Sequence, residues 1–278
     1  MSNIHIVVDS TANIPAEVLA KNPNLHVVPL TVTLGETAWS ELELSNAALF
    51  RLAGEQGLYP RTSQPSPGEF TKAFAPAAMG QPVIMISLAG GLSGTADGAR
   101  AAAKEYKGCD IHIIDSGTTA IGVSKMAEAA LHMAAQNVPA AVIAGRLQQL
   151  AEATRTLFMP DSLEYLHKGG RIGGAAALFG AILQIKPILH LHAGRVQVLD
   201  KVRTRPRAVA RMLEELAQPG ELAYIGVAHS LVAAPAEEVY HTICRQYPNT
   251  PVVLNPISPV LSAHLGPGVI GLIFQRKL

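Results

Sequence analysis

Three times the chain passes from a short apolar, β-branched stretch into a loop of small and hydroxylated residues and on into a helical pattern. The three units begin at Ile4 ("IHIVVDSTANIPAEVLAKN"), at Pro82 ("PVIMISLAGGLSGTADGARAAAKEY") and at Ile111 ("IHIIDSGTTAIGVSKMAEAALHMAA"). Runs that are apolar on both faces suit strands covered on both sides, and a helix between successive strands makes those strands parallel. The loops then collect at the carboxyl edge of one parallel sheet, where folds of this kind bind ligands. In the first unit, Thr11 or Asn13 is expected to cap the helix ahead of Pro15.

Between the first two units, "LHVVPLTVTLGETAW" reads as a hairpin near residues 25–45 with its turn at Gly35-Glu36, inserted or lent to another sheet. Residues 139–156 are helical in pattern, "TLFMPD" opens a second region, and the boundary is set near residue 160. Beyond it, strands with a hairpin turn at Ala193-Gly194 mix with helices and crossovers. The expected fold is therefore α/β with two domains: a Rossmann-like parallel-sheet domain over 1–160 and a mixed-sheet α/β domain over 161–278. A length of 278 residues with 49% hydrophobic side chains is ample for two such cores.

A net charge of +1 gives no global reason to expect a nucleic-acid or anionic-membrane partner. Cys109 and Cys244 have no metal or disulfide spacing. No leader pattern and no bilayer-length apolar run occurs, so the expectation is a cytoplasmic protein without stable membrane insertion.

Three hydroxyl-bearing stretches are candidates for chemistry: Arg61 to Phe70, Ala89 to Ala99 and Asp115 to Thr119. Hydroxyls beside backbone N–H groups at helix starts form anion sites, although the same residues cap helices everywhere. "GLSG" lacks the final glycine of a nucleophile elbow, since position 95 is Thr95. A hydrolase could still be assembled from Ser93, His264 and either Asp9 or Asp115. His190 and His192 share a strand face without carboxylates nearby, a poor metal site, and no metal is expected. His264 stands beside a Gly-Pro-Gly turn.

"HKGGRIGG", His167 to Gly174, invites comparison with phosphate loops. Its glycine spacing fits neither a Walker sequence nor a dinucleotide fingerprint, and a helix-like segment precedes it rather than a strand. The uncharged run Ala175 to Ile185 that follows reads as a buried helix or as one wall of an apolar tunnel.

Seven stretches in order, "VVDSTANIP", "RTSQPSPGEF", "ISLAGGLSGTADGA", "IDSGTTAIG", "LEYLHKGGRIGGAAALFGAILQIKPIL", "GRVQVLDKVRT" and "HLGPGVIGLIF", resemble the DegV family of bacterial fatty-acid-binding proteins across essentially the whole chain. The resemblance implies two α/β domains with a long-chain fatty acid held between them and no other cofactor. It implies a lipid-binding subunit without catalysis of its own, which presents the acid to a separate ATP-binding fatty acid kinase subunit for acyl-phosphate formation in phospholipid metabolism. Carried onto this chain, Thr62, Ser93 and His264 resemble the carboxylate ligands, with the backbone N–H groups of Ser63 and Gly94 as supplementary donors. Arg171 and Arg203 resemble surface residues that dock the kinase. The chain departs from the family pattern at Ser258, Ser262 and Ala263 before the histidine, and at Trp39 and Glu41 after the hairpin. The alternative from another class is a Ser/His-dependent hydrolase or acyltransferase acting on acyl esters.

Overall fold

A computed structural model describes residues 3–180 and 185–278. The first half runs β1 (His5–Asp9), α1 (Ala16–Lys21), β2 (Leu25–Val28), β3 (Thr31–Leu34), β4 (Thr37–Ser40), α2 (Asn46–Gln56), β5 (Arg61–Ser63), α3 (Pro67–Ala78), β6 (Val83–Ser87), α4 (Thr95–Ala103), β7 (Ile111–Asp115), α5 (Ile121–Ala135) and α6 (Ala140–Ala153). The second half continues with β8 (Thr154–Met159), α7 (Glu164–Lys168), β9 (Lys186–His192), β10 (Arg195–Val202), α8 (Arg205–Leu216), β11 (Leu222–His229), α9 (Ala233–Gln246), β12 (Val252–Pro256), α10 (Pro259–Leu265) and β13 (Ile270–Arg276).

The repeated strand–loop–helix units form the expected parallel sheet, in the order β2-β1-β6-β7. Side chains alternate across it. Ile6, Val8, Ile84 and Ile86 are buried under Val123 and Met126 of α5 and Ile143 and Leu147 of α6. Val7, Val83 and Met85 meet Phe70 and Phe74 of α3 on the other face. A residue apolar at every strand position is thus explained by two covered faces. Strand order reverses between β1 and β6, the usual ligand crevice of such sheets. Here that crevice is bridged from within: the fully buried Asp9 accepts the Leu88 N–H at 2.6 Å and the Thr11 N–H at 3.0 Å.

Two local expectations change. Neither Thr11 nor Asn13 caps α1, whose preceding residue is Pro15 with no side-chain cap. Thr11 bonds Asp9 instead, while Asn13 adopts a left-handed conformation (φ 50°) and sends its Nδ2 to Pro256 O at 2.9 Å. The 25–45 segment also divides: β2 joins the parallel sheet, whereas β3 and β4 form the hairpin across Gly35-Glu36 and add β5 in a separate antiparallel sheet, β4-β3-β5.

The mixed sheet has the order β10-β9-β8-β13-β11-β12, antiparallel except for β11 with β12. Strand β8 belongs to it, so the change of sheet falls between α6 and β8, ahead of residue 160. Leu157, Met159, Leu272 and Phe274 pack beneath α8 and α9. The opposite face, with Phe158, Ala228 and Ile273, meets Ala120 and Ile121 at the start of α5 and Leu261 of α10. That second face closes against the loops of the parallel sheet. Among the described residues, no helix is long and apolar enough to cross a membrane.

The run after Gly174 is not a buried helix over its described part. Gly173–Leu178 is a 3-10 turn lying against β10, with Ala176, Ala177 and Phe179 exposed. Gly173 (φ 50°) turns the chain, and a Cβ there would meet Val196 O, so this close crossing requires glycine. Residues 181–184 of that run lie outside the described residues.

Candidate functional site

A cavity opens where the carboxyl edge of the parallel sheet, the small antiparallel sheet and the inner face of the mixed sheet converge. It takes in about 880 Å³ of space between atoms, open solvent at its mouth included. Most of its wall is apolar: Leu88, Leu92, Phe158, Leu166, Leu261 and Ile273 are typical. Small residues at Ala120, Ala228 and Gly271 leave room between the larger ones.

Polar groups gather at the half-buried end. Thr62 of β5 and His264 of α10, 202 positions apart, place Oγ1 and Nε2 at 2.7 Å. Gln64 packs against Gly94 so closely that a Cβ on that glycine would collide with its Oε1. Ser93 precedes the N-terminus of α4, and its Oγ lies 2.8 Å from Oγ1 of the buried Thr95. The positive end of α4 and the two hydroxyls favour an anion there.

His264 is held neutral. Burial first, and the nearby Arg171 guanidinium second, push its pKa down to about 4. Its Nδ1 is buried without a hydrogen-bond partner among the described residues and faces Gly169, where a Cβ would run into the ring. A lone pair on Nδ1 leaves less unsatisfied there than an N–H would, so the tautomer consistent with this site carries its proton on Nε2 and donates to Thr62 Oγ1.

α10 is fixed at its other end by Glu41, which stands outside the hydroxyl and histidine motifs of the sequence. Glu41, 3% exposed, accepts the Val260 N–H at 2.7 Å through Oε1 and the Ser10 hydroxyl through Oε2. Ser10 Oγ in turn accepts the Leu30 N–H at 2.9 Å. One buried carboxylate therefore joins the first loop of the parallel sheet, the hairpin and the helix that carries His264. Burial, with the Asp9 charge adding a lesser push, raises the Glu41 pKa above the ordinary carboxylate value.

The other sequence candidates are distributed around this centre. Arg171 is half-buried and lines the cavity, with Nε on Leu92 O at 3.0 Å and Nη1 on Gly169 O at 2.7 Å. Ser63 is exposed on β5 opposite Thr31, and Gly94 is the exposed N-cap of α4; neither lines the cavity. Arg203 is exposed between β10 and α8, away from it. The components of a Ser-His-Asp triad are engaged elsewhere: Ser93 with Thr95, His264 with Thr62, Asp9 with Thr11 and Leu88, and Asp115 with the N–H groups of Gly90 and Gly117. His190 and His192 lie with ring centroids 5.9 Å apart. Among the described residues, no group of three or more His, Cys, Asp or Glu is placed to hold a metal ion.

The family model described as "Uncharacterised protein, DegV family" matches residues 3–277. The chain belongs to the DegV family. It is 34% identical over 283 residues to a DegV domain-containing protein of Listeria monocytogenes, and 35% identical over 287 residues to one of Streptomyces coelicolor, with 99% of each chain covered in both cases. Among solved structures it is similar to a DegV family protein from Thermus thermophilus described for its fatty acid binding, with a TM-score of 0.90 at 26% identity and full coverage of both chains. It is equally similar to DegV of Bacillus subtilis, described as a fatty acid binding protein, with a TM-score of 0.89 at 29% identity and full coverage of both chains. DegV relatives of this fold are thus described as fatty-acid-binding proteins.

Proposed function

We propose that this chain binds a long-chain fatty acid in the cavity, acyl chain inward and carboxylate at Thr62, Ser93 and His264. The observation that carries the reading is the Thr62–His264 pair at the polar end of an otherwise apolar cavity. An Nε2 proton donated by His264 to Thr62 leaves the Thr62 hydroxyl proton free for a carboxylate oxygen. Thr95 is fully buried and does not line the cavity, so a spare proton on it would lack an acceptor; with Thr95 as the donor, the Ser93 proton is likewise free. Two hydroxyl donors and the start of α4 then hold the head.

The energetics divide in the same way. About 15 methylene groups at about 0.8 kcal/mol each supply on the order of 10 kcal/mol before the costs of association. The head needs only correct orientation. Neutral hydroxyls provide it without the heavy desolvation of a buried ion pair, and they leave one carboxylate oxygen accessible. That oxygen is the nucleophile required by a separate ATP-dependent kinase subunit, to which the protein presents its ligand for acyl-phosphate formation. Arg171 at the cavity mouth and the exposed Arg203 are the docking groups in this reading, through paired contacts with partner carboxylates.

Native mass spectrometry of gently purified protein tests the binding. A retained mass equal to a long-chain acid is expected, lost in a Thr62→Val, Ser93→Ala double variant. A clean unliganded spectrum from a host rich in such acids contradicts it.

A further inference from the structure

Two hydroxyls more buried than those of the half-buried head site, Thr119 and Thr156, also interrupt the apolar wall of the cavity. Thr156 of β8 lines the cavity and shares a strand face with Phe158; Leu157 also borders the cavity, though its side chain packs with Met159 beneath α8 and α9. Thr156 is 6% exposed. Its Oγ1 lies 2.6 Å from Oγ1 of Thr118, which is 1% exposed and does not line the cavity.

Proton accounting fixes the direction of that bond. Two hydroxyls carry two protons, and one hydrogen bond between them uses one. If Thr156 were the donor, the spare proton would belong to Thr118 and be buried without an acceptor, which is costly. Thr118 is therefore the donor, and Thr156 keeps a proton aimed at the cavity. Thr119, the other inner hydroxyl on the wall, is directed elsewhere: its Oγ1 reaches Thr11 Oγ1 at 3.5 Å, and Thr11 donates to Asp9.

We propose that Thr156 is a second polar contact, matched to an oxygen part-way along the acyl chain, so that the cavity favours a hydroxy- or oxo-fatty acid over the plain chain. The proposal rests on the reading of the cavity as a fatty-acid site. A hydrocarbon passing Thr156 leaves its proton unpaired in apolar surroundings, whereas a chain oxygen accepts it. Conversely, an alcohol buried without a partner would be rejected.

The test is competition between stearic acid and a set of monohydroxystearic acids, differing in hydroxyl position, read by native mass spectrometry. The wild-type protein is expected to retain at least one mid-chain isomer about fivefold over stearic acid, the worth of one net hydrogen bond. A Thr118→Val, Thr156→Val double variant, which keeps the shape and removes both hydroxyls, is expected to hold stearic acid and reverse that preference. Thr156→Ser, which keeps the hydroxyl, should preserve it. Retention of stearic acid with every hydroxy isomer disfavoured by the wild type overturns the proposal, as do ratios unchanged in the double variant. Failure of the wild type to hold any acid strikes the fatty-acid reading itself.

Discussion

Gly169 lies so close to His264 that any side chain on it would displace the imidazole. A Cβ there would collide with Nδ1, with Tyr165 O a further 3.0 Å neighbour. The adjacent Gly170 is different: it needs glycine for its φ of 69°, and a Cβ on it would meet nothing within 4 Å.

Gly169→Ala is therefore expected to move His264 from Thr62 and lower fatty-acid retention about tenfold or more, the scale of about 1–3 kcal/mol for overpacking. Gly170→Ala should cost about 1 kcal/mol of stability through backbone strain and leave retention unchanged. Exchange of bound acid against a labelled one distinguishes the two.

Glu41 makes the stability depend on pH in a defined direction. Its native pKa is raised above the reference value of 4.5, so the folded state holds the proton more tightly than the unfolded chain. That contribution is complete below the unfolded value and is lost as pH rises through the native one. Gln can still accept the Val260 N–H. The melting temperature of Glu41→Gln should accordingly gain on the wild type as pH climbs above 4.5, as thermal denaturation across a pH series would show. Glu41→Ala, which leaves buried donors unpaired, should lose about 2–4 kcal/mol at any pH.

His264 acts in the opposite sense. With a native pKa of about 4 against a reference of 6.5, it binds fewer protons folded than unfolded between those values. Its stability contribution is present above 6.5 and is lost as pH falls through about 4. Nitrogen-labelled NMR should find the His264 imidazole still neutral at pH 5, and a His264→Gln variant should lack that part of the acid destabilisation. A bound carboxylate should raise this pKa, because the anion favours the imidazolium.

Arg203 is exposed and remote from the cavity, so Arg203→Ala should leave lipid occupancy intact and reduce acyl-phosphate formation with a cognate kinase. Arg171 touches both regions. Arg171→Ala should lower turnover as well and, by removing a positive neighbour, raise the His264 pKa above about 4. Turnover assays beside lipid occupancy separate docking from binding.

The parallel sheet was legible because strands such as "VIMIS" are apolar at every position and lead directly into hydroxyl loops. Residues 154–156, read as the end of a helix, open strand β8 instead, because its partners β9 and β13 are supplied by later sequence. Apolar small residues mark neither core nor surface by themselves, and for that reason the run after Gly174 read as buried while Ala176, Ala177 and Phe179 are exposed. Thr62 and His264 could be paired only through the family pattern, since 202 residues separate them. Thr156 carried no motif and Glu41 stood out only as a departure from the family pattern: the value of one depends on strand facing, that of the other on what α10 leaves unpaired.

The central claim, an acid held head-outward at Thr62, Ser93 and His264, is tested most directly by NMR of a long-chain acid labelled at its carboxyl carbon. Bound to the wild type, that carbon should show a shifted signal that no longer follows the titration of the free acid, and Thr62→Val with Ser93→Ala should abolish the shift. A bound acid whose carboxyl carbon titrates as it does in water, unaffected by those substitutions, would contradict the account.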